Sequence, residues 1–157
     1  MLAIAVILSA LENMLPPLPI LPPGVKLGLA NVIIMYTVFF IGQKEAFALN
    51  ILKAVFVFLT RGAIAGLLSA SGGILSICMV ILLASIFGDK VSYIIISIAS
   101  AIAFNLGQIA AVSIIMTVSG IMFFLPTVLI LSMILGTITG VALRILLPVL
   151  KRGGYYS

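Results

Sequence analysis

Few residues in this chain could do chemistry, and their types narrow the possibilities. The 157 residues include no His, one Cys and three acids, Glu12, Glu45 and Asp89. Without His the chain lacks the commonest general base and metal ligand. Cys78 has no partner for an intrachain disulfide and lies in an apolar run, where the expected role is a small buried hydrophobe. The acids are far apart, so no carboxylate pair or metal-binding cluster is written in the chain, and no metal or cofactor is expected. No Gly-rich loop ends in Lys-Ser or Lys-Thr, so any work driven by ATP falls to a partner. What remains is a sparse set of cations and amides. Asn50, Lys53, Val57 and Arg61 fall within an arc of about 80° on a helical wheel and form one polar stripe. Asn105 and Gln108, three apart, form a second.

The elements that must position these groups follow from composition. Hydrophobic residues make up 64% of the chain and charged residues 7%, against about 25% in soluble domains. Residues 91–143 contain no Asp, Glu, Lys or Arg, and neither do residues 62–88. A bilayer core takes about 20 apolar residues per helix. The chain is therefore expected to be an all-α polytopic membrane protein, its residues 1–157 a single transmembrane domain. A soluble enzyme and a nucleic-acid binder are excluded, and the net charge of +5 points to anionic headgroups and topology.

Six transmembrane helices are predicted. The first runs from near Met1 to about Leu15 and is followed by a stiff loop with Pro16, Pro17, Pro19, Pro22 and Pro23. The second spans about Val25 to Ile41, and the third Ala46 to about Thr60. The Gly-, Ala- and Ser-rich stretch from Arg61 to Gly73 is expected to contain a loop or short re-entrant piece. The fourth helix covers about Ile74 to Phe87, the fifth begins near Val91 and ends around Gly120, and Pro126 starts the sixth, which ends near Leu150. Lys44, Lys90, Lys151 and Arg152 then lie on the side of both termini, which the positive-inside rule makes cytoplasmic. Ser132, Gly136 and Gly140, like Gly62, Gly66 and Ala70, are spaced by four and mark close helix contacts, within the subunit or with a partner.

In this arrangement Glu12, Lys26, Asn31, Asn50, Lys53, Arg61, Asn105 and Gln108 gather toward the external side. An ionisable group in a span is costly and usually faces a cavity. The cations outnumber the acid there, which suits a small anionic or polar ligand. A pocket open to one side fits better than a small channel, since a pore needs polar lining at every depth. Three plainer readings stand beside this one. Lys53 could snorkel to an interface, Asn105 and Gln108 could only bond neighbouring helices, and Glu12 could only neutralise Lys26 or Lys53.

The run Leu11-Glu-Asn-Met-Leu-Pro-Pro-Leu-Pro, then Pro23-Gly-Val-Lys-Leu-Gly-Leu-Ala-Asn31, resembles the bacterial Gx transporter family. So do Lys53, Arg61-Gly62, Ser71-Gly-Gly73 and Asn105-Leu-Gly-Gln108. That family is also labelled heptaprenyl diphosphate synthase component I. The resemblance covers essentially the whole chain. It implies a bundle like the substrate-binding S components of energy-coupling factor (ECF) transporters, in the bacterial inner membrane, with a ligand site toward the outer face. It also implies an ECF-type transmembrane coupling protein with ATPase subunits as partner. Two positions depart from the pattern: Phe104 stands where the family often has His, and Ala5-x-x-x-Ser9 where S components usually show Ala-x-x-x-Ala. The synthase label cannot mean a catalytic chain, because prenyl diphosphate synthases hold Mg²⁺ with clustered Asp and this chain has only Asp89. It would mean a non-catalytic membrane subunit beside a soluble enzyme.

Overall fold

A computed structural model describes residue 7 and residues 31–87, 92–115 and 121–152. The predicted first helix, the Pro loop, Glu12, Lys26, the turn at 88–90 and the tail beyond 152 lie outside the described residues. Within them are five helices: α1 (Asn31–Phe40), α2 (Gln43–Arg61), α3 (Ala63–Phe87), α4 (Tyr93–Ile115) and α5 (Ile121–Arg152). Three contain stretches long and apolar enough to cross a membrane, Ala63–Phe87, Tyr93–Ile114 and Leu125–Ile145. With 19 residues, or about 28 Å, α2 has comparable length but carries Lys44, Glu45, Lys53 and Arg61. The described residues thus form a helical membrane protein.

Of the stretch Arg61 to Gly73, expected to contain a loop or short re-entrant piece, all but one residue is helical. Only Gly62 interrupts it, and α3 begins at Ala63. Gly62 has φ 92° and ψ 175°, a backbone that residues with a Cβ rarely adopt. The chain reverses there, so Gly66 packs on Phe58, and Gly73 on Asn50. Position numbers fall along α2 as they rise along α3, the mark of an antiparallel hairpin. The small residues that looked like a loop are helix-contact residues, because close backbone approach needs Gly, Ala and Ser.

A second correction concerns the last helix. It starts at Ile121, not Pro126. Pro126 sits in its second turn and leaves the Met122 carbonyl without its usual donor, a defect that membrane helices tolerate when other groups take over. A third concerns Cys78, which is exposed on α3 rather than buried.

Packing continues up-and-down along the chain. Leu68 of α3 meets Ile109 and Val112 of α4, with Val128 of α5 in the same cluster. Gly136 and Gly140 of α5 lie against the backbone of Ile98 and Ile94 of α4. The α5 stripe therefore seals a contact within this chain. Two further clusters seat α1: Ile34 with Ala46, Leu49 and Ile77, and Met35 and Tyr36 with Val80, Ile96 and Leu143. Outward stand Ile51, Val55, Leu59, Leu67, Leu82, Ile130, Ile134 and Ile138, all exposed. In water such a surface would aggregate; in lipid it is the expected exterior.

Candidate functional site

Against this apolar background one layer of the bundle is polar. Its centre is Lys53, only 3% exposed and the one buried charged residue among the described residues. The ammonium does not reach the lipid face. Lys53 Nζ donates to Asn31 Oδ1 at 3.3 Å, joining α2 to the start of α1. It also lies 5.1 Å from the centroid of the Phe104 ring on α4. An ammonium over an aromatic face is attracted to the ring quadrupole, by about 2 kcal/mol where both are desolvated.

Asn50, one turn from Lys53, is 1% exposed and sends Nδ2 to the Ala70 carbonyl of α3 at 3.3 Å. Its side chain lies against Gly73, where any Cβ would overlap the amide. Gln108, fully buried, packs its Cγ on Gly72. A Cβ on Gly72 would sit 2.9 Å from that Cγ and 2.8 Å from the Phe104 carbonyl, while one on Gly107 would sit 2.8 Å from the Ser71 carbonyl. The Gly72–Gly107 crossing thus lets α3 and α4 touch backbone to backbone, and so brings Phe104 and Gln108 to the α2–α3 hairpin.

The other candidates take different places. Asn105 directs both amide hydrogens away from Lys53, to the Ala101 carbonyl at 3.2 Å and to Ser132 Oγ of α5 at 2.7 Å. Ser132 in turn donates to the Val128 carbonyl at 2.6 Å. Arg61, on the same stripe as Lys53, is exposed as the last residue of α2. Of the eight residues singled out from sequence, Asn31, Asn50, Lys53 and Gln108 come together in one layer. Asn105 lies on its α5 side, Arg61 at the bundle's end, and Glu12 and Lys26 outside the described residues.

Three contributors, Phe104, Gly72 and Gly73, lie outside the candidate site residues. Phe104 drew notice only as a departure from His, yet its spacing of four from Gln108 puts both on one face. Gly72 and Gly73 belonged to the supposed loop. A pairing of Gly-Gly on one apolar segment with Gly107 on the next was the available signal.

Among the described residues the layer holds no nucleophile poised beside a base. It offers an ammonium, amides and an aromatic ring, groups that bind and orient. Since α3 reaches the layer at Ala70 to Gly73, about 10–15 Å from its first residue, the layer lies nearer the Gly62 end of a helix about 37 Å long.

A helical membrane bundle with one cation buried in an off-centre polar layer is the class that these observations define. Residues 1–146 match the family of heptaprenyl diphosphate synthase component I, and the chain belongs to that family. No curated protein and no solved structure matches it. As a component I of that family, the chain is not itself an enzyme.

Proposed function

We propose that this chain is an integral membrane substrate-binding protein of the S-component type. It captures a small polar or anionic molecule from the external side of the bacterial inner membrane. In this reading residues 1–157 form one transmembrane domain with six spans and cytoplasmic termini. Lys53 attracts the ligand, Asn31, Asn50 and Gln108 orient it, and Arg61 with Lys26 draws anions toward the entrance. The chain hands its ligand to an ECF-type coupling protein with ATPase subunits.

The observation that supports this reading is the burial of Lys53 among amides and an aromatic ring, in a bundle where Lys44, Glu45, Arg61 and Arg144 are exposed. A membrane helix keeps an interior cation at a cost of several kcal/mol, and such residues mark ligand or ion sites. The test is a thermal-shift screen of the detergent-purified chain with acetate, benzoate, geranate, inorganic phosphate, pyrophosphate and geranyl diphosphate. At least one anion should raise the melting temperature of the wild type and not of Lys53→Met. Equal responses from both proteins across the panel would remove the reading's main support.

The family description favours a second reading, a membrane subunit that assists prenyl diphosphate synthesis by a separate catalytic chain. Under either reading the purified chain should not elongate allylic diphosphates in the presence of Mg²⁺. Elongation at enzyme-like turnover would overturn both.

A further inference from the structure

We infer that the C-terminal end of α5 is a site for an anionic phospholipid, whose phosphate meets Arg144 and whose acyl chains lie along the exposed face of the same helix. This site is separate from the layer around Lys53 and stands whatever that layer binds. Packing fixes the depth of Arg144. Gly136 and Gly140 of α5 lie against Ile98 and Ile94 of α4, so one turn further on Arg144 lies just beyond the level of Tyr93, the first residue of α4. Leu143 beside it is fully buried in a cluster with Met35 and Tyr36, on which Phe39, Phe40 and Tyr93 pack. Aromatic rings of this kind mark the depth at which helices leave the hydrocarbon core. Leu143 thus anchors α5 at that depth, and Arg144, turned by about 100° from it, is exposed. The helix then runs eight residues, about 12 Å, farther to Arg152.

The composition of this end selects the partner. Arg144, Lys151 and Arg152 are cations, and α5 contains no acid. Between them, residues 145–150 read Ile-Leu-Leu-Pro-Val-Leu and are wholly apolar. An acidic soluble protein would satisfy the cations and leave that run in water. A phospholipid covers both, with phosphate on the cations and hydrocarbon on the apolar run. The preceding turns of α5 extend the match. Ile130, Met133, Thr137, Val141 and Arg144 fall within an arc of about 80°, and all are exposed. From Ile130 to Arg144 is about 21 Å, longer than the roughly 15 Å of hydrocarbon in one leaflet. An acyl chain can therefore follow this ridge while its headgroup stays at Arg144. There the planar guanidinium donates two parallel hydrogen bonds to phosphate oxygens. Position 151 falls within about 20° of position 144 on the wheel, so Lys151 places a second cation on the same side.

The test titrates the full chain, purified in uncharged detergent, with dioleoyl phosphatidylglycerol or dioleoyl phosphatidylcholine, and counts retained lipids by native mass spectrometry. Phosphatidylglycerol should bind at least about fivefold more tightly, the scale of one cation near an anionic surface. Arg144→Gln should remove that preference, and Arg144→Lys should keep most of it. Equal binding of the two lipids by the wild type, or a preference that survives Arg144→Gln, would overturn the site. So would an equal loss from Lys44→Gln, at the exposed cation near the start of α2, since the attraction would then be diffuse and not seated on α5. Inorganic phosphate should not displace the lipid, because it lacks the chains. Full displacement by phosphate would overturn the lipid assignment. The wild-type comparison requires no variant, so it decides the headgroup preference even if Arg144→Gln misfolds.

Discussion

Two of the layer's amides, Asn50 and Gln108, are each positioned by a glycine opposite. Asn50 occupies the space that a Cβ on Gly73 would fill, and Gln108 lies over Gly72. Gly73→Ala should therefore push Asn50 off the Ala70 carbonyl and lower the unfolding temperature in detergent, with a stability loss of about 1–3 kcal/mol, the usual range for overpacking. An unchanged melting curve would mean that α2 and α3 can part without loss. Asn105 faces α5 and holds Ser132. Asn105→Leu should cost about 1 kcal/mol, in line with interhelical hydrogen bonds measured in membranes. It should weaken anion binding far less than Lys53→Met. Calorimetry and thermal unfolding on the same two variants separate the roles, because a shared pocket would make both fall together.

Among the elements, the α2–α3 hairpin carries the site, and its turn is a single residue. Gly62 adopts φ 92°, and nothing lies within 4 Å of where its Cβ would be. Gly62→Ala is thus a test of backbone conformation free of steric overlap. It should destabilise the bundle by about 1–2 kcal/mol, the left-handed penalty for an L residue. Urea or SDS titration of the folded fraction is the measurement, and no shift in midpoint would show that the turn can relax into another geometry. The contrast with α5 is instructive. Gly136 and Gly140 sit against the Cα atoms of Ile98 and Ile94, so substitutions there act by separating helices and not through backbone strain.

At the scale of the molecule, the two ends of α2 should report opposite sides of the membrane. Lys44 and Arg61 are both exposed and 17 residues apart, about 26 Å along the axis, close to the thickness of a bilayer core. Aromatic residues gather near the Lys44 end, where Phe39 meets the Tyr93 ring edge-on at 5.4 Å and Tyr36 stacks on Phe40 at 5.0 Å. Such rings are common where helices leave the hydrocarbon core. In a Cys78→Ala background, an impermeant maleimide added to intact cells should label a cysteine at 61 and not at 44. The reverse pattern would invert the topology and put the polar layer nearer the cytoplasm.

The membrane class, the helical architecture and the burdened position of Lys53 were all legible in the residues alone. A bilayer imposes length and apolarity on every span, and a lone cation in such a span is conspicuous in any fold. The stripe Asn50–Lys53–Val57–Arg61 was legible as a face by its period, though its last member, Arg61, is exposed at the end of α2. What the chain did not declare was which apolar faces meet. The fourth predicted helix is almost wholly apolar, and on the fifth Asn105 and Gln108 mark a polar face without saying which neighbour it meets. For that reason the small residues of 61–73 resembled a loop. The Gly72–Gly107 crossing is a property of two surfaces at once, and so is the placement of Phe104 beneath the Lys53 ammonium. Only the packed bundle decides that Gln108 turns toward α3 while Asn105, three residues earlier, turns to Ser132 of α5. Two amides about 60° apart on one helix lie near a boundary between neighbours, and the positions of those neighbours are set by backbone approach across the whole bundle.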